Sequence, residues 1–247
     1  MKRLFNVLAA FAVLVGCWQL LVWGFSLPHY LLPTPWAVLQ KIVEKWDVLL
    51  KHAGVTLSEM LLGLLLGFCF GVGSALVLTL SRRLSRVFMP ILVLTQAIPV
   101  FAIAPLLVLW LGFGMASKVA MAVLIIYFPV VMACYDGLRN TPTQWLQLAE
   151  SMRASRLTIL LKIRLPAALP SLASGLRVAV TFAPIGAVIG EWVGSAEGLG
   201  YLMLNANARM RVDMTFAALL VLIVIQLTLF FGVDRLLKKL IPWESKH

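Results

Sequence analysis

Acidic side chains are scarce in this chain: ten Asp and Glu among 247 residues, against 21 Lys and Arg. Charged residues of both signs make up only 13%, too few for an ordinary soluble domain. Cysteine is limited to Cys17, Cys69 and Cys134, and histidine to His29, His52 and His247, all dispersed. That spacing gives neither a disulfide framework nor a metal site. Packing is expected of the cysteines, and solvated side chains of the histidines. A phosphate-cradling Gly-x4-Gly-Lys-Ser/Thr loop is also missing; the nearest stretch, Gly112 to Lys118, lacks the second glycine where it would be needed. The chain is therefore expected to hydrolyse nothing and to carry no catalytic residue, metal or cofactor of its own.

Apolar residues fill the space that charge leaves: 62% of the chain is hydrophobic and the mean hydropathy is +0.97. About 20 apolar residues cross about 30 Å of hydrocarbon. Six segments meet that length, at 4–25, 57–80, 87–111, 116–136, 168–193 and 214–236. They leave no room for a separate soluble domain, so residues 1–247 are expected to form one all-α membrane unit. Met1-Lys2-Arg3 ahead of an apolar run imitates a secretory signal. A signal's apolar core ends within 15 residues, whereas this one continues to Phe25, so it is expected to stay as the first span.

The formal charge of +11 is topological. With the N-terminus inside, the cytoplasmic segments hold 15 of the 21 basic residues and four of the ten acids; the external segments balance to zero. The excess on one side follows the positive-inside rule and excludes nucleic acid as its cause. Both termini are then cytoplasmic.

Within this frame several segments stand out. Residues 35–50 alternate apolar and charged positions at helical period (Val38, Ile42 and Leu49 against Lys41, Lys45 and Asp47), which predicts a helix on the external interface, with Trp36 and Trp46 at headgroup depth. Gly63, Gly67 and Gly71 recur every four residues, as do Gly186, Gly190 and Gly194, spacing that lets helices approach closely in lipid. Pro90, Pro99 and Pro105 disturb the third span, and Pro184 is expected to interrupt the fifth. Irregular backbone at membrane depth needs a protein or aqueous surrounding. Thr95, Gln96, Pro99, Thr181 and Pro184 are accordingly candidates for lining a pathway, with kinks inside a packed bundle as the alternative. Glu191 is expected either to pair with Lys118, Arg209 or Arg211 or to sit in an external gate.

The most informative stretch is 140–166. Trp145, Leu148, Met152, Leu157 and Ile163 alternate with Arg153, Arg156, Lys162 and Arg164, too charged to cross and too apolar for an idle loop. Ser155 is an N-cap candidate, and Leu165 before Pro166 is expected to end a second short helix. The spacing predicts two short helices with a turn near Arg153–Ser155, shaped for a groove on a partner.

Here the chain resembles the permease subunit of ATP-binding-cassette importers. The family's Glu-Ala-Ala, x3, Gly, x9, Ile-x-Leu-Pro signature falls on Gln147-Leu148-Ala149, Arg153 and Ile163-Arg164-Leu165-Pro166, with the spacing intact. The runs 167–177, Gly190-Glu191-Trp192, Gly198 to Leu202 and Ile241-Pro242-Trp243 are similar too. The likeness runs over nearly the whole chain and most resembles the nitrate, sulfonate, taurine and thiamine-pyrimidine-precursor group. It implies a six-helix bundle of the type I importer kind in the bacterial inner membrane. It also implies a second permease subunit, as a homodimer or a closely similar pair, a cytosolic ATPase dimer carrying ATP and Mg, and an external solute-binding protein, periplasmic or lipid-anchored. The segment's Gln147, Ala149, Glu150, Met152, Arg153, Ala154, Ser155, Arg156, Ile163, Leu165 and Pro166 would form the ATPase contact. Three positions depart from the pattern: Gln147, Leu148 and Arg153. A left-handed turn would cost a non-glycine residue about 1–2 kcal/mol, so Arg153 is expected to keep ordinary dihedrals, and Glu150 to supply the missing acidic contact. The variant Leu148-Ala149-Glu150-Ser151-Met152 points to a hydroxymethylpyrimidine-type substrate; sulfonate, taurine or nitrate are alternatives. A secondary transporter run by an ion gradient is the competing class, and would need ionisable groups at the midplane and internal repeats.

Overall fold

A computed structural model describes the backbone of residues 2–243 and the side chains of 12–81 and 83–243; His247 and the other residues beyond 243 lie outside it. The described residues are helical throughout their regular structure: α1 (Lys2–Gly24), α2 (Pro35–Glu44), α3 (Trp46–Leu80), α4 (Arg82–Thr95), α5 (Val100–Leu111), α6 (Met115–Arg139), α7 (Thr143–Ser151), α8 (Arg156–Ile159), a π turn (Leu160–Arg164), α9 (Leu165–Gly194), α10 (Leu199–Ala208) and α11 (Val212–Leu240). Among the described residues, four helices are long and apolar enough to cross a membrane: Trp46–Leu80, Met115–Arg139, Arg156–Gly194 and Val212–Leu240. The first expected span, 4–25, coincides with α1, although the side chains of 4–11 lie outside the described residues.

The expected third span, 87–111, is not one helix. It breaks at Gln96–Pro99 into α4 and α5, which meet at 98°. Pro99 lacks an N–H and forces its predecessor out of the helical region. The expected interfacial helix is also shorter than 35–50. Thr34 caps it, accepting from the Ala37 N–H at 3.2 Å, and it ends at Glu44, because Lys45 leaves helical dihedrals (φ −118°, ψ 30°). Residues 46–50 instead open the 35-residue helix α3. Val38 and Leu49 are buried, but Trp36 and Trp46 are exposed.

The chain divides into two compact units, Met1–Thr56 with Ala196–Val224, and Leu57–Ser195 with Ile225–His247. In the first, Trp18 donates to the Pro33 carbonyl at 3.1 Å and packs on Phe216. Lys41 bridges Glu44 and Asp213 at 2.8 and 3.3 Å. The start of α10, a helix absent from the expectations above, is capped by side chains of α3. His52 Nδ1 accepts from the Gly198 N–H at 2.9 Å and Thr56 Oγ1 from the Leu199 N–H at 2.8 Å. His52 is therefore a half-buried acceptor, not a solvated side chain.

In the second unit the glycine spacing becomes helix packing within the chain. A Cβ on Gly63, Gly67 or Gly71 would strike Ala122, Ile126 or Val130, at 2.5 to 2.7 Å. The matched steps of four make α3 and α6 parallel. Gly186 lies against the Ala122 backbone (2.6 Å) and Gly190 against that of Lys118 (3.0 Å), so α6 and α9 run antiparallel. Two parallel spans joined by residues 81–114 require that stretch to travel back between their ends. The bent α4–α5 pair makes this return, with Ala104 and Leu107 packed on Met121. The later part of α11 rests on α9 through Ala173, Leu237 and Ile241, Gln226 donating to the Val180 carbonyl at 3.0 Å.

Candidate functional site

The segment 140–166 folds as two short helices with a turn, and the turn differs from expectation. Arg153 has φ +55°. Its N–H reaches the Glu150 carbonyl at 2.9 Å and that of Ala154 reaches Ala149 at 3.0 Å, the paired bonds of a Schellman ending. Two otherwise orphaned carbonyls thereby offset the cost of a left-handed arginine. Ser155 then caps α8, accepting from the Thr158 N–H at 3.2 Å.

Leu165 does not end the helix. The chain passes from α8 through the π turn straight into α9, the Leu165 N–H reaching back five residues to the Leu160 carbonyl. One extra residue in the turn gives the Pro166 ring room where an ordinary turn would clash with the carbonyl four back. Ile159 and Leu160 are buried beneath. Leu148, Met152 and Leu157 stand 63%, 75% and 58% exposed, an apolar tip flanked by exposed Gln147, Glu150, Arg153, Ser155 and Arg156. Ala149 is buried, while Ala154, Ile163 and Leu165 are half-buried.

The pathway candidates are less closely assembled. Thr95 and Gln96 sit at the α4–α5 break, both exposed; the Thr95 hydroxyl donates to the Leu92 carbonyl at 2.6 Å and accepts from Gln96 at 3.3 Å. Thr181 is exposed and donates to the Arg177 carbonyl at 2.9 Å. Pro184 does not interrupt the fifth span: α9 continues unbroken from Leu165 to Gly194, because neighbouring turns absorb the missing donor.

Glu191 lies in a buried cluster with Lys118, foreseen from the sequence, and Glu59, which sequence reasoning passed over. Glu59 of α3 is fully buried, Glu191 of α9 is 1% exposed and Lys118 of α6 is 5% exposed. Lys118 Nζ stands 2.5 Å from Glu59 Oε1 and donates to Ser195 Oγ at 3.0 Å. The Glu191 carboxyl lies close to that of Glu59. Of the partners foreseen for Glu191, Lys118 is the one that shares its cluster, and Glu59 forms the third corner. The visible signal was a carboxylate inside the apolar run 57–80 and a lysine at the mouth of 116–136. Burying such charges is tolerated only when they are paired.

Residues 63–246 match the family model described as "Binding-protein-dependent transport system inner membrane component". A "Probable ABC transporter permease protein" of Haemophilus influenzae is 61% identical over 97% of this chain and 98% of its own. The "Formylaminopyrimidine transport permease protein" ThiX of Halalkalibacterium halodurans is 34% identical over the full length of both, and the taurine permease TauC of Escherichia coli 28% identical over 95% and 88%. The permease fold of the MetNI methionine ABC transporter, in an inward-facing conformation, superposes with a TM-score of 0.71 at 19% identity, over 79% of this chain and 97% of that one. Spans, break and broad likeness agree: the chain belongs to the binding-protein-dependent transport family and is a multi-pass inner-membrane permease of an ABC importer.

Proposed function

We propose that segment 140–166 is the handle by which a separate cytosolic ATPase dimer drives this permease. The carrying observation is the exposed tip of Leu148, Met152 and Leu157 on a turn closed by the paired Arg153 and Ala154 N–H bonds. An apolar knob of fixed shape ringed by charge suits a groove on a partner. Both termini then face the cytosol, and ATP and Mg belong to that partner. A second copy of the chain completes the pathway, residues 1–247 acting as one permease unit, and an external solute-binding protein delivers the substrate. ATP binding closes the ATPase dimer, carries the two handles together and opens the pathway outward; hydrolysis resets it, a coupling of rigid bodies across bistable interfaces. Thr95, Gln96 and Thr181 line that pathway, and Glu191 with its buried partners lies toward the external end.

The substrate is a small pyrimidine of the thiamine-precursor type. The Leu148–Met152 sequence and the full-length likeness to a formylaminopyrimidine permease support this over taurine. Thermal protection of the cognate binding protein by candidate solutes decides between them. For the handle, Arg153→Glu or Arg156→Glu is expected to abolish uptake while the variant still inserts and the ATPase still turns over. Wild-type uptake in both variants would refute the docking role.

A further inference from the structure

The ends of α3 and α6, the start of α4 and the stretch from Glu150 to Arg164 enclose a cleft of about 1010 Å³. Arg83, Arg86, Arg139, Arg156 and Arg164 line it, with Glu150 the one acid among the lining residues. Arginine does not lose its proton in proteins, so four positive charges stand there without an internal counter-charge. The chain does neutralise such groups elsewhere: Arg177 and Lys238 flank Asp234 at 2.9 and 2.5 Å. Among the described residues, none of the five cleft arginines makes an ion pair. The Nε of Arg164 is buried with no hydrogen-bond partner.

Two hydroxyls organise the wall. Tyr135 is hydrogen-bonded to Ser85 and accepts from Arg139 Nη1 at 3.3 Å, with that guanidinium 5.5 Å from its ring centre. Arg139 is thereby positioned in advance, its other N–H groups left for a ligand. Planar forks sharing one cleft, with hydroxyls among them, suit an anion having several acceptor oxygens, each fork binding two. The volume exceeds a lone phosphate and is of the size that holds a small molecule or a headgroup.

We propose that this cleft binds a phosphate group, carried either by an anionic phospholipid headgroup or by a phosphorylated solute. The cleft lies where spanning helices end, and basic pockets between helices at the cytoplasmic surface take anionic headgroups. The inference rests on the importer reading only in assigning this end to the cytosol.

The test uses the full chain in zwitterionic detergent, titrated with inorganic pyrophosphate and, separately, with short-chain phosphatidylglycerol, while the thermal unfolding midpoint is followed. At least one probe is expected to raise the midpoint, with an apparent affinity at least tenfold weaker in Arg83→Gln/Arg139→Gln. Stabilisation by pyrophosphate alone assigns the site to a free phosphorylated solute, by the lipid alone to a headgroup, and competition between them to a shared site. Arg139→Lys keeps the charge but loses the fork; its severalfold weaker binding tests the proposal if the double variant does not fold. No binding of either probe, or equal binding by all variants, would overturn it. ATP-driven uptake measured on reconstituted wild type keeps the two readings apart: binding without uptake spares the cleft and sinks the importer mechanism, and the reverse result sinks only the cleft.

Discussion

The two ends of the α3–α6–α9 bundle treat charge in opposite ways. At one end Glu59, Lys118 and Glu191 are removed from solvent and held against each other. At the other, five arginines line an open cleft with one acid for company. A buried ion pair must be satisfied within the chain, since half of one is worse than none. Open arginines cost little when solvated and are free to meet something from outside. The first end therefore reads as internal fastening and the second as a surface awaiting partners.

The largest expected effect tests that contrast directly. Lys118→Met leaves two buried carboxyls without their cation and is expected to cost about 3–5 kcal/mol. Arg86→Gln is expected to change stability by no more than about 0.5 kcal/mol. Comparable drops in unfolding midpoint for the two would break the distinction. An intermediate loss is expected from Gly186→Val, because the added carbons meet the Ala122 backbone, at 2.6 Å from the first of them, and overpacking costs about 1–3 kcal/mol. Gly73→Val meets nothing within 4 Å and serves as its control, so equal losses would remove packing as the cause. The smallest effect belongs to Glu44, on the exposed helix α2. Hydrogen bonds from Lys41 first, and then Lys45, hold its carboxyl below the ordinary value of 4.5. A depressed value stabilises the fold at neutral pH and ceases to do so as the group protonates. Glu44→Gln should thus lower the midpoint slightly at pH 7 and not at all near pH 3; a loss persisting in acid would show that charge is not responsible.

Much of this was legible in the sequence because it depends on period and length. Most of the glycines four apart found their neighbours on α6, Ser155 capped its helix, and four of the six apolar runs became long helices. What escaped depends on contacts between distant residues. Pro166 looked like a stop because a proline disfavours helix before it, yet a widened turn accommodates it. Arg153 looked unable to turn left because the local cost was visible and the two compensating carbonyls were not. Glu59 and Lys118 lie 59 positions apart, and only the parallel seating of α3 on α6 brings them together. The capping of α10 by His52 and Thr56 likewise reaches across more than 140 residues.

The unbroken run from Arg156 to Gly194 has a mechanical corollary. At about 1.5 Å per residue, Leu157 and Glu191 sit on one rod roughly 50 Å apart, with no loop to take up slack. A push on the exposed tip has no joint in which to dissipate; it must tilt or rotate the rod as a whole. Glu191, clamped at the far end, is then either the fulcrum of that lever or the first latch to give way.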